Sequence, residues 1–77
     1  MKVFDELKNI LVNELDVDSD AVKPEAEFIE DLNLNSLEIA DLVVMCEEKF
    51  GIEIDESDIH TILKISDLVE YIEAKMK

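Results

Sequence analysis

The stretch Asn35-Ser36-Leu37-Glu38-Ile39-Ala40-Asp41-Leu42-Val43-Val44-Met45-Cys46-Glu47-Glu48-Lys49-Phe50-Gly51 decides the fold. Asn35 is a favoured N-cap residue, and Glu38 follows at the spacing where cap and glutamate can each satisfy the other's backbone N–H. An amphipathic run continues to Phe50, and the chain's only glycine, Gly51, stands where a helix commonly ends in a left-handed residue. Helical phase gathers Ile39, Leu42, Val43, Cys46 and Phe50 on one side, which is the core face. Glu38, Asp41 and Glu48 lie opposite, and so do Leu37, Val44 and Met45. Core burial does not account for those three apolar residues, so the face reads as a docking surface. Ser36 falls in the first helical turn, where unpaired N–H groups and the positive end of the helix dipole favour an attached phosphate ester.

Upstream, Val3, Phe4, Leu7, Ile10, Leu11 and Leu15 recur at helical spacing and predict a first helix from about Val3 to Leu15. Residues 16–35 show no helical period and contain Pro24. Connections of this length are uncommon in compact domains and are often functional. Phe28, Ile29, Leu32 and Leu34 are expected to pin the second half of this loop to the bundle. Downstream, Asp55 can cap a short helix carrying Ile59, Ile62 and Leu63. A last helix, capped by Ser66, is expected to reach about Met76, with Leu68, Val69, Ile72 and Met76 inward and Lys75 and Lys77 at its negative end. Gly51-Ile52-Glu53-Ile54 alternates but has no mate for a sheet. The expected fold is all-α: a four-helix bundle of three longer helices and one short helix, with a long loop between the first and second, in one domain over residues 1–77.

The run Phe28-Ile29-Glu30-Asp31-Leu32-Asn33-Leu34-Asn35-Ser36-Leu37-Glu38, followed by Glu47-Glu48-Lys49-Phe50-Gly51-Ile52-Glu53-Ile54, resembles the acyl carrier proteins of fatty-acid synthesis. Ile65-Ser66-Asp67-Leu68-Val69 through Ile72 resembles the family's last helix, so the likeness covers nearly the whole chain. The family's motif is usually Asp-Ser-Leu, and its serine carries 4′-phosphopantetheine, taken from coenzyme A, through a phosphodiester. The resemblance places that serine at Ser36. It implies partners of two kinds, a phosphopantetheinyl transferase and acyl-handling enzymes with basic docking patches. It further implies docking through Asn35, Leu37, Glu38, Asp41, Val44, Met45, Glu47 and Glu48. Helical phase together with the family analogy suggests an acyl-chain lining of Phe28, Ile39, Val43, Cys46, Ile54, Ile59 and Ile62. One departure stands out: Asn35 occupies the place of the family's usual aspartate.

Composition agrees with a folded, partner-seeking chain. Of 77 residues, 48% are hydrophobic, 21 are acidic and seven are lysine, with no arginine and a formal charge of −14. A chain of this size buries roughly 60% of its unfolded surface, a thin margin for stability. The charge argues against nucleic acid and anionic membranes, which would repel it, and favours basic protein partners. Salt or divalent cations should stabilise it by relieving self-repulsion. The amino terminus lacks the apolar core of a signal peptide, no apolar run approaches spanning length, and the chain is expected to be a cytoplasmic monomer.

Other chemistries are weaker. Asp16, Asp18, Asp20 and Glu27 match the first, third, fifth and twelfth positions of an EF-hand loop, but Ala21 and Lys23 replace the required glycine and the usual apolar residue, and Pro24 follows. The loop reads as solvated and acidic. The single histidine, His60, and single cysteine, Cys46, cannot build an ordinary zinc site. Cys46 lies on the core face and reads as a small buried hydrophobe. Ser36 lacks the glycine-flanked elbow of the hydrolases, so a catalytic triad with His60 has no platform. No metal site and no catalytic residue is assigned. Besides carriage in fatty acid biosynthesis, three readings stay open: a carrier dedicated to polyketide, lipid or aminoacyl loading, a calcium-responsive module on the Asp16–Glu27 loop, and an interaction domain without a prosthetic group.

Overall fold

The computed structural model describes residues 3–76. Leu7 and Leu11, one helical turn apart, are fully buried along α1 (Val3–Glu14). The second helix, α2 (Ser36–Phe50), contributes Leu42, Val43 and Cys46 to the same core. A single turn, α3 (Glu56–Ile59), precedes α4 (Ile65–Met76), which buries Ile65, Leu68 and Ile72. Among the described residues these are the α-helices, and there is no strand. The first helix is central, packing against both α2 and α4. The expected four-helix bundle with a long first loop is the fold observed.

The local signals around α2 hold in detail. Asn35 Oδ1 accepts from the Glu38 N–H at 2.9 Å, and Glu38 Oε1 accepts from the Asn35 N–H at 3.0 Å. Gly51 ends the helix at φ 65°, a left-handed conformation that costs glycine little, and its N–H closes onto the Glu47 carbonyl.

The start of α4 differs from expectation. Ser66 is not its cap: the helix begins at Ile65, and Asp67 reaches back so that its carboxylate accepts from the N–H groups of Leu63 (3.2 Å) and Lys64 (3.0 Å). The next two donors, the N–H groups of Ile65 and Ser66, are taken by the carbonyls of Ala26 and Pro24, both at 2.9 Å. Phe28 N–H donates to the Leu63 carbonyl at 3.1 Å, and Glu27 bridges antiparallel to Lys64. The loop therefore satisfies the orphan donors of α4 and is anchored by them. Met76, expected inward, is 46% exposed, because the last turn runs past the core. Lys77 lies outside the described residues.

Phe28, Leu32 and Leu34 are buried, as expected of loop anchors, while Ile29 is 55% exposed. The cause is a turn in which the Asp31 and Leu32 N–H groups both donate to the Glu27 carbonyl. It sets Phe28 and Leu32 on one side and turns Ile29 outward. Leu63, placed with the apolar residues of the short helix, is likewise exposed. Val17 and Val22 join the core from the loop's first half, which also holds a 3₁₀ turn (Ser19–Ala21) capped by Asp18, and Ala26 joins it from just past the midpoint.

Candidate functional site

Ser36 is the first residue of α2 and is exposed. The capping box takes the Glu38 N–H, and the Ile39 N–H already bonds to the Asn35 carbonyl at 3.0 Å. The N–H groups of Ser36 and Leu37 then remain as the free donors of the first turn among the described residues. A phosphodiester on Ser36 Oγ would sit against these donors and the positive end of a four-turn helix. The residues present therefore fit a covalently attached phosphopantetheine.

Beside this turn lies a cavity of about 170 Å³, lined by Glu27, Phe28, Ile29, Glu30, Ile39, Ile62 and Leu63. It brings together Phe28, Ile39 and Ile62 of the expected lining, with Ile39 one helical turn from Ser36. Val43, Cys46 and Ile54 are instead buried in the core, and Ile59 is packed half-exposed against it. Ile29 and Leu63, absent from the expected lining, are exposed on the cavity rim. Their exposure was not readable from periodicity, since it follows from the Glu27 turn and from the loop's contact with the start of α4.

The expected docking residues divide. Leu37 is 78% exposed and Val44 52%, and Asp41 and Glu48 are exposed as well. Met45 is half-buried, because it lines a groove with Ile10 and Glu14 of α1. The Glu47 carboxylate accepts from the Ile54 N–H at 2.8 Å, which gives it an internal task in holding the segment after Gly51. Lys49, the one base on α2, pairs with Glu6 at 3.3 Å across to α1, so the outer face keeps its acidic character.

The remaining groups carry structural roles. Cys46 is fully buried, and burial pushes its thiol up to about 12, which removes it as a nucleophile. His60 is exposed at the end of α3. Asp18 is committed to capping, and no group of three metal-ligating side chains assembles among the described residues. No described helix is long and apolar enough to cross a membrane.

Tyr71 belongs to no motif or periodic stripe of the sequence, yet it ties α3 to α4. Its hydroxyl donates to Asp58 Oδ2 at 2.6 Å and accepts from the Asp55 N–H at 3.4 Å, while Lys75 lies 5.5 Å from the ring centroid. The carboxylate acceptor holds the Tyr71 hydroxyl above its ordinary value, and Asp55 is held below its own by the Ser57 backbone and hydroxyl donors. A raised tyrosine contributes stability that is present below the unfolded value, about 10, and is lost as pH rises through the folded one. A lowered aspartate contributes stability above its unfolded value, lost as pH falls through the folded one. Tyr71→Phe is expected to cost about 1 kcal/mol near neutral pH. Its deficit against the parent, read from urea unfolding, should shrink above about pH 10. A gap that persists there would assign the cost to packing instead.

Comparison with known proteins supports the geometry. The family described as phosphopantetheine attachment site matches residues 5–72. An acyl carrier protein of Campylobacter lari is 47% identical over 77 residues, covering 100% of both chains. One from Nitratidesulfovibrio vulgaris is 43% identical over 75 residues, 97% of this chain and 99% of the relative. The crystal structure of an acyl carrier protein from Thermotoga maritima superposes with a TM-score of 0.85 at 27% identity, covering 96% of this chain and 86% of that one. The chain thus belongs to the acyl carrier proteins, non-catalytic carriers with a covalently attached 4′-phosphopantetheine that interact with a phosphopantetheinyl transferase and with acyl-handling enzymes.

Proposed function

We propose that Ser36 bears the phosphopantetheine arm and that the chain carries acyl intermediates of fatty acid biosynthesis in the cytoplasm, as a single carrier domain. The observation that carries this reading is an exposed serine on the first turn of α2, with free backbone donors around it and an apolar cavity one helical turn away. The arm supplies a terminal thiol on which acyl groups travel as thioesters. The protein supplies the tether, which raises the effective concentration of the acyl group at a docked enzyme. Phe28, Ile39 and Ile62 offer apolar cover beside the attachment point, with Val43, Cys46 and Ile54 further into the bundle and Ile59 half-exposed against it. Exposed Leu37, Val44, Asp41 and Glu48 form the surface for basic partners, where charge of one sign speeds encounter with the opposite sign without prolonging residence.

The attachment is tested by intact mass after incubation with coenzyme A, magnesium and a broad-specificity phosphopantetheinyl transferase, beside a Ser36→Ala control. The pathway is tested separately. The loaded protein, given to fatty-acid elongation enzymes of the same organism with acetyl and malonyl donors, is expected to accumulate saturated acyl chains, read again by mass. Loading without elongation would assign the chain to a specialised pathway.

A further inference from the structure

The walls of the cavity beside Ser36 are not held alike. Phe28 is fixed by its N–H, which donates to the Leu63 carbonyl at 3.1 Å, and Leu63 by its own N–H, which donates to Asp67 Oδ2 at 3.2 Å. Ile39 stands in the first turns of α2, with its N–H bonded to the Asn35 carbonyl. Ile62 has a different support. Its N–H donates to the Ile59 carbonyl at 3.1 Å, and the neighbouring Thr61 is tied to the Asp58 carbonyl through both its N–H (3.0 Å) and its hydroxyl (2.7 Å). This part of the wall hangs from α3.

The short helix is itself lightly held. None of its residues is fully buried, and Ile59 is only half-buried against the core. Among the described residues, every hydrogen bond from residues 55–61 to another element passes through one atom, the Tyr71 hydroxyl oxygen on α4. It donates to Asp58 Oδ2 at 2.6 Å and accepts from the Asp55 N–H at 3.4 Å, so it engages the cap and the body of the turn together. Asp58 thus joins two links, its carboxylate held by Tyr71 and its carbonyl holding Thr61. Tyr71 itself does not line the cavity.

We propose that Tyr71 is a positioning residue for the carried acyl chain: acting through Asp58 and the turn that ends in Ile62, its hydroxyl sets a wall of a cavity that it does not touch. Without the hydroxyl, α3 loses its polar fastening and Ile62 its fixed place, and a seated chain gains less from burial. The inference rests on the reading of Ser36 as the attachment point and of the cavity as acyl cover.

The test is a cycle of thermal midpoints. The parent chain and Tyr71→Phe are each loaded by a broad-specificity phosphopantetheinyl transferase, once from coenzyme A and once from hexanoyl coenzyme A. Phenylalanine keeps the ring, and with it the face that Lys75 covers. A chain seated in the cavity stabilises the folded state, so the rise in midpoint from the unacylated to the hexanoyl form measures the seating. That rise is expected to be about twofold smaller, or less still, in Tyr71→Phe. A hydroxyl with a structural role alone would lower both midpoints together and leave the rise unchanged, which overturns the proposal. Asp58→Asn retains an oxygen that can accept from Tyr71 and should keep the parent's rise, whereas Asp58→Ala should lose it. This pair decides the matter even where Tyr71→Phe does not fold, and equal rises in the two overturn the proposal. No rise in the parent overturns it as well. Failure to load the parent chain at all is a different result, which overturns the Ser36 assignment and this inference with it.

Discussion

Replacing Ser36 by alanine is expected to abolish loading entirely while leaving the fold and its stability as they were. The chemistry requires a hydroxyl oxygen at that position, and alanine has none, so the effect on attachment is all or nothing. The structure explains why the fold should not notice. The capping box runs between Asn35 and Glu38 and uses no atom of the Ser36 side chain. Ser36 is exposed and buries nothing. Alanine is moreover the best helix former, so the first turn loses nothing in propensity. Intact mass should therefore show a gain of one phosphopantetheine on the parent and none on the variant, with superimposable circular dichroism and thermal midpoints. A residual gain on the variant would move the attachment to another hydroxyl, and Ser19, Ser57, Thr61 and Ser66 would be the places to look. A collapsed midpoint would mean that Ser36 holds the turn in a way the exposed hydroxyl does not suggest.

The helix that presents the candidate site was legible in the sequence because its signals are local. Asn35 with Glu38, and Gly51 after Phe50, act over one helical turn, and the bonds they imply are the bonds present. What stayed hidden depends on residues far apart in the chain. Ser66 has the right chemistry for a cap, but the helix already starts at Ile65, where the carboxylate of Asp67 and the carbonyls of Ala26 and Pro24 hold the N–H groups of residues 63–66, and the Leu68 N–H that Ser66 would have served is bonded to the Lys64 carbonyl. Ile29 looks like an anchor by composition and is turned outward by a reversal centred on the Glu27 carbonyl. The link from Tyr71 to Asp58 spans thirteen residues and crosses helices, beyond any periodic pattern. Val17, Val22 and Ala26 lie in a stretch with no period, so their burial had no signature. Phase sorted α2 well, yet it could not say that Met45 would be half-covered by α1 or that Glu47 would be claimed by Ile54.

The largest effect on stability is expected from Leu68→Ala. Leu68 is 1% exposed in α4, the helix that packs on α1 and whose first turn anchors the long loop. Truncating a buried leucine removes its transfer free energy and leaves a cavity, at a cost of about 3–4 kcal/mol. A domain of 77 residues has about 4–12 kcal/mol in total, and this one carries a charge of −14 that works against compaction. The variant should thus melt about 15 °C lower, and added salt should recover more folded population in it than in the parent, because screening acts on the same repulsion with less margin beneath it. Cys46 offers an internal reporter of this loss. It is fully buried with its thiol pushed up to about 12, so alkylation at pH 8 requires the core to open. If opening is global and reclosing is fast, a loss of about 3 kcal/mol raises the labelling rate about a hundredfold. A rise below about tenfold, with the lowered midpoint still seen, would mean that Cys46 is reached by a local movement of α2 that α4 does not restrain.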